Sequence, residues 1–337
     1  MKIPVLIAVA VVCPVLAQNS PGQAEVKPVR LRLRMPFSGE ERQRLSLLPT
    51  AQDLAAGDAY PVYQVAIKAI PENLNRWDQI PVEDISTSEI KTTVDELRPV
   101  LEGLRKAALC RDCTWPPYKP NDQSSWMELR PPAYALSVEA RYSMAKGDYA
   151  RAAKAIGGGL AMARHTGRAQ NLTQQLIGVA AGTLMCREVE QWVQCPSSPS
   201  LYEALKDLPR PFIDPNEQIQ REIQAARSDV RFILAREALD QILKPAHDRM
   251  RLTARRLDRH IAALQCIEAL RLYAARQGRF PQTLAEVGLN VPNDPMMDRP
   301  FVYAAKTETT AMLEGPIPQG GSEREGLQYE LTWIKDQ

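Results

Sequence analysis

The sequence predicts a mainly α-helical protein: a multi-helix bundle of α-hairpins with a small C-terminal antiparallel β element. Three observations carry this reading. Ser137 to Gln194 reads as helix, tight turn, helix, turn, helix, with apolar residues recurring every three or four positions. Aromatic residues make up only 6% of the 337 positions while Ala and Leu abound, which suits close helix-on-helix packing. Phe301 to Ala305, Thr309 to Leu313 and Leu327 to Ile334 are short strand-like runs, two of them joined by the Gly/Pro/Ser loop 315–322.

From the N-terminus, residues 1–17 carry Lys2, the apolar run Ile3 to Leu16 and the ending Val15-Leu16-Ala17. This is the pattern of a secretory signal peptide cleaved after Ala17. The run is shorter than the ~20 residues a membrane helix needs. Cys13 follows Val12, where a lipoprotein signal uses a small residue. The chain is therefore expected to be secreted or periplasmic, with no transmembrane span after cleavage. The remaining length allows one large helical domain or two smaller ones. The expected division is an extended arm over 18–50, a helical domain over 51–248, and a segment 249–337 holding a long helix, a short helix and the small sheet.

A helix is expected over Ala51 to Ile70, with Tyr60, Tyr63, Ala66, Ile67 and Ile70 as its contact stripe. Loop or short helical turns follow over 71–91. Thr93 to Leu109 forms the next helix, and Pro99 within it calls for a kink or a later start. Trp115 to Asp122 is a proline-rich loop, and Met127 to Ala145 is the helix leading into the central turn. There Gly147 can take the left-handed conformation that ends a helix, and Asp148 caps the next one. Gly157, Gly158 and Gly159 interrupt that helix at up to ~1 kcal/mol each against Ala. With no preceding strand and no following Lys-Ser/Thr, they read as close backbone packing or a kink rather than a phosphate loop. Gly167 ends the helix, with Arg164 and His165 in its last turn, and Asn171 caps the third. The stretch Ala145-Lys146-Gly147-Asp148-Tyr149 followed by Ala152-Ala153 resembles a tetratricopeptide-type hairpin, without a second copy at a fixed period.

After the connector Cys195 to Ser200 come a short helix ended by Pro209, a long helix from Asn216 to Lys244 interrupted by Pro245, and a last long helix from Arg251 to Arg276. The arginine run Arg249 to Arg259 is interleaved with Asp258 and reads as a solvated face. Lys+Arg number 42 against 40 Asp+Glu, a net charge of +2, so no strong field draws the chain to nucleic acid or acidic membranes.

Removing the leader leaves Cys110, Cys113, Cys186, Cys195 and Cys266. Cys110 and Cys113 have the spacing of a redox motif or half a zinc site. His165, His247 and His260 show no paired spacing with them, and the βαβ setting of a thioredoxin site is missing. They read first as structural or free thiols. A disulfide between Cys186 and Cys195, which flank a helix end, stays open. No metal and no cofactor is expected.

No Gly-x-Ser-x-Gly or His-Glu-x-x-His occurs, and no Ser-x-x-Lys has its companion motifs. Glu139 and Arg141 are polar candidates among helices. The prolines in Asp207-Leu208-Pro209-Arg210-Pro211 would hold Arg210 in a fixed place, for a salt bridge or an anion site. Asp207, Arg210, Asp214, Arg164 and His165 are thus the ligand-binding candidates. The preferred function is a helical scaffold that binds a protein or peptide partner of the cell envelope in a groove between helices. The alternative is an envelope-acting, hydrolase-like enzyme with a site between helices near Arg210.

Four blocks carry a resemblance: Ala107-Ala108 to Trp115, Ala145-Lys146-Gly147-Asp148 with Ala161 to His165, Leu201 to Leu205 with Leu208 to Asp214, and Leu272-Tyr273 to Pro281. Over roughly residues 105–300 the chain resembles an uncharacterised family of secreted α-helical bacterial proteins. The resemblance implies extent and fold class and brings no catalytic residues. Gly278, Phe280, Pro281, Asp294, Pro295, Arg299, Pro300 and Tyr303 stand in the order seen in the soluble tail of major type II secretion pseudopilins. That likeness, over about residues 265–310, implies turn formation or calcium binding at Asp294 or Asp298. The prepilin-type start is missing, so filament assembly is not carried over.

Overall fold

The computed structural model describes residues 26–36, 45–71, 73–116, 130–228 and 236–334. The leader with its cleavage point, residues 117–122 of the proline-rich loop and the start of the helix expected at Met127 lie outside them. The fold is mainly helical with a small C-terminal antiparallel strand element. Among the described residues no helix is long and apolar enough to cross a membrane.

Three helices form the centre: α4 (Arg130–Ala145), α5 (Tyr149–Gly167) and α6 (Leu172–Trp192). Their turns follow the local chemistry. Gly147 sits at φ +71°, and Asp148 accepts from the Arg151 N–H at 3.0 Å. Asn171 accepts from the Gln174 N–H at 2.8 Å. Each cap satisfies a donor that the helix start would leave free. The glycines mark close approach. A Cβ on Gly157 would stand 2.8 Å from the Leu47 carbonyl, and one on Gly178 would stand 2.6 Å from the Ala163 carbonyl and 2.8 Å from the Gly167 nitrogen. Backbone atoms cannot rotate aside. Gly178→Ala is therefore expected to lower stability by about 1–3 kcal/mol, the usual cost of overpacking. At Gly159 the added atom would overlap Met185 Sδ and stand 2.6 Å from its Cγ, a side chain that can rotate where backbone cannot, and Ala would set up to ~1 kcal/mol of helix propensity against that repacking. Urea midpoints should rank Gly178→Ala below Gly159→Ala, and the reverse order would refute the close-packing account.

Around this centre, α1 (Ala59–Ile67) and α3 (Arg98–Ala108) pack together, with α3 against α5, and α2 (Thr87–Glu96) against α4. The helix expected from Ala51 begins only after Asp58, whose side chain accepts the Tyr60 N–H, because Ala55–Asp58 is a strand, β2, pairing in parallel with β3 (Cys110–Asp112). The helix expected over 93–109 is two helices meeting at Leu97, with Pro99 in the first turn of the second, where its missing N–H costs nothing.

Beyond the short α7 (Tyr202–Lys206) and α8 (Asn216–Ser228), α9 (Arg236–Gln277) packs on α6. The break expected at Pro245 is absent: α9 runs through it, so a boundary at 248/249 falls inside a helix. Gly278 ends α9 at φ +67°. The strands β4 (Val302–Ala305), β5 (Thr310–Gly315) and β6 (Leu327–Trp333) are antiparallel, as the alternation predicts. Ala311 and Leu313 of β5 and Tyr329, Leu331 and Trp333 of β6 are buried, the period of two that a one-sided sheet requires. The expected arm is corrected in part: Val29–Leu33 is a strand, β1, pairing in parallel with β6 from Val29↔Tyr329 to Leu33↔Trp333. The sheet order is therefore β1-β6-β5-β4.

Candidate ligand-binding groove

Charged side chains inside the bundle come in ion-paired sets, with one oxygen each of Glu139 and Glu188 left without a hydrogen bond among the described residues. Glu188, fully buried, accepts from Arg141 at 3.0 Å and Ser137 at 2.7 Å. Glu139 takes Arg105 and Arg151. Arg271 donates to the Ser198 carbonyl and pairs with Glu268 at 3.2 Å. The arginine run is not one solvated face. Arg259 is 2% exposed and clamps the buried Asp294 carboxylate with two nitrogens. Asp294 also accepts the Met296 N–H at 2.9 Å, so its carboxylate serves the turn and the ion pair.

The sequence candidates divide. Asp207 is the C-cap of α7, and Asp214 accepts from the Asn216 N–H at 3.0 Å at the start of α8. Arg210 donates to Gln265 at 2.6 Å, with burial pushing its pKa down. Arg164 lies over the Phe212 ring, 6.0 Å from its centroid, so it joins the 207–214 segment. His165 turns away: its Nδ1 meets the Tyr63 hydroxyl at 2.9 Å, in a cluster with Trp115. Burial, assisted by Arg168, pushes His165 down to about 4. The five candidates thus occupy two sides of the end of α5 and do not converge.

Cys110, Cys113, Cys186, Cys195 and Cys266 are free thiols. Burial raises all five, Cys195 and Cys266 to about 12. A redox or nucleophilic cysteine needs the opposite shift. Among the described residues no three His, Cys, Asp or Glu side chains gather as a metal site.

A different site emerges from residues far apart in sequence. A half-open groove of about 460 Å³ lies between α6 and α9, with Arg130 and Tyr134 of α4 at one side and the segment Arg324 to Leu327 at another. Its floor is apolar, from Leu176, Val179, Leu184, Leu257 and Leu327. Five arginines (130, 187, 256, 259 and 324) and His260 line it, against a single acid, Glu325. Glu325 is already engaged, closing a capping box with Ser322. Arg256 is half-buried, and desolvation pushes its pKa down; it makes no hydrogen bond or ion pair with any described residue.

His260 is held at 2.8 Å by Glu190, which also accepts the Tyr329 hydroxyl at 2.6 Å. Burial works against the Glu190 carboxylate, yet the bond and charge of His260 hold it below the usual range. The threonine hydroxyls of the wall are committed, Thr183 to the Val179 carbonyl at 2.9 Å and Thr253 to that of Arg249 at 2.7 Å. The groove can bind an anion against an apolar floor; a nucleophile for covalent chemistry is not among its described side chains. Sequence reasoning missed it because four segments supply it. The one legible signal was the spacing of Arg256, Arg259 and His260, which puts them on neighbouring positions of one helix face. No family model, curated protein or solved structure matches the chain.

Proposed function

We propose that the protein is a secreted or periplasmic helical scaffold that receives a segment of a protein partner of the cell envelope in the groove between α6 and α9. One observation supports this most: the half-buried Arg256, with no hydrogen bond or ion pair to a described residue, stands over an apolar floor beside Arg187, Arg259 and His260, whose charges are already paired with Asp78, Asp294 and Glu190. Binding sites combine apolar lining with a few placed polar groups in this way. The enzymatic alternative moves from Arg210, whose polar neighbours are satisfied, to His260. Glu190 orients that imidazole as a general base would be oriented, but the base would have to act on water.

Site-specific photocrosslinking tests the scaffold reading. A photoreactive residue at Leu176, in the groove and 38% exposed, is expected to give one discrete protein adduct in intact cells. The same residue at Val65, 74% exposed on α1, is expected to give none. No adduct at Leu176, or equal adducts at both positions, overturns it.

A further inference from the structure

The lining of the groove discriminates between kinds of occupant. On α6 it runs from Leu176 to Arg187, about 16 Å of helix at ~1.5 Å per residue. That length matches about five residues of extended chain at ~3.3 Å each. The cations come from separate segments: Arg256 on α9, Arg324 before β6 and Arg187 on α6, the last already paired with Asp78 at 3.4 Å. A single-headed amphiphile such as a fatty acid needs cations at one end and an apolar tunnel beyond. Here the cations stand on separate segments around the apolar lining, which suits several spaced anionic groups. Arg256 weighs most. Withdrawing a charged group from water without a partner is costly, and a planar guanidinium is best matched by a carboxylate on two nitrogens. Glu325 acts on Arg256 only through its charge; no described carboxylate makes a hydrogen bond or ion pair with it.

We infer that the occupant is an extended acidic peptide segment of the partner protein, about five residues long, with carboxylates alternating with apolar side chains and one carboxylate on Arg256. This rests on the groove being the binding site.

The test uses the full chain and a labelled Glu-Leu-Glu-Leu-Glu peptide in fluorescence anisotropy. The peptide is expected to bind at least ~10-fold more tightly than Gln-Leu-Gln-Leu-Gln, since a charge-assisted hydrogen bond contributes about 1.5–3 kcal/mol. Its affinity should fall as salt rises. Arg256→Gln removes a side chain that makes no hydrogen bond or ion pair with a described residue, and should weaken binding about 10-fold or more with the urea midpoint unchanged. Leu176→Glu, a like-charged substitution at an exposed position, should abolish it. Equal binding of the two peptides, or an affinity indifferent to Arg256→Gln, overturns the inference, as does binding of dodecanoate with no binding of the acidic peptide. If the Leu176 crosslink persists while the two peptides bind alike, only the acidic preference falls. If that crosslink is absent, the groove reading itself falls.

Discussion

Replacing Arg259 by methionine is expected to lower the stability of the protein by about 3–5 kcal/mol, the cost of leaving a buried charge without its partner. Arg259 Nε donates to Asp294 at 2.8 Å, a second nitrogen meets the other carboxylate oxygen, and further donors reach the carbonyls of Pro316 and Glu325. One side chain on α9 thus ties down the turn at Asp294 and both ends of the loop between β5 and β6. Gly315 permits this, because a Cβ there would stand 2.8 Å from Arg259 Nε. Methionine would leave the Asp294 carboxylate buried and unpaired, and two carbonyls without a donor. The double variant Arg259→Met/Asp294→Asn removes the orphaned charge and keeps an acceptor for the Met296 N–H. It should be more stable than Arg259→Met alone. Denaturant unfolding reads both. A loss below about 1 kcal/mol for the single variant, or no recovery in the double, would show that the pair does not hold the C-terminal sheet to the helix.

The contrast between Asp148 and Arg259 explains what could be read from the sequence. Helix caps and turns are local: Gly147, Asp148 and Asn171 act on neighbours within a few positions, so the central hairpins were legible. So were the three antiparallel strands, whose alternation is local too. Strand β1 was not, because its partner β6 lies some 300 positions away (Val29 opposite Tyr329) and five residues of alternation do not reveal a partner. Pro245 misled in the other direction. Proline forfeits one helical hydrogen bond, a penalty that tertiary contacts along a 42-residue helix can outweigh. The groove was illegible for the same reason as β1. Nothing in the spacing of Arg187 and Arg256 says that α6 and α9 lie side by side, and an arginine among charged neighbours carries no local sign of its burial. The candidates around Asp207 to Asp214 stood out because prolines make a segment conspicuous. Conspicuous here means well capped: Asp214 and Arg210 satisfy backbone and Gln265 rather than waiting for a ligand.

The second large effect is a cancellation. Asp258 is pushed up to about 6, chiefly by burial, although the Phe212 N–H, Arg210 and Arg255 pull the other way and Asp214 adds to the rise. An acid whose folded pKa lies above its unfolded value stabilises the fold at low pH, and that contribution is lost as pH rises through about 6. His165 behaves oppositely. Burial, Arg168 and Arg164 push it down to about 4, against the Cys110 backbone and Asp58. A base whose folded pKa is depressed gives stability that is present above its unfolded value of ~6.5 and is lost as pH falls through about 4. Between pH 7 and pH 4 the chain should therefore lose about 3 kcal/mol at His165 and gain about 2 kcal/mol at Asp258, from ~1.36 kcal/mol per pH unit. The two groups sit in separate surroundings: Asp258 accepts the Phe212 N–H at 2.7 Å, while His165 faces the Tyr63 hydroxyl at 2.9 Å. Urea midpoints at pH 7 and pH 4 separate them. Relative to the parent, His165→Gln should be less sensitive to acid and Asp258→Asn more sensitive. Reading the change with pH removes any fixed cost of either substitution. If both variants follow the parent's pH dependence, then water reaches these side chains, and both the Tyr63–Trp115 cluster and the contact of Asp258 with the 207–214 segment are looser than their geometry requires.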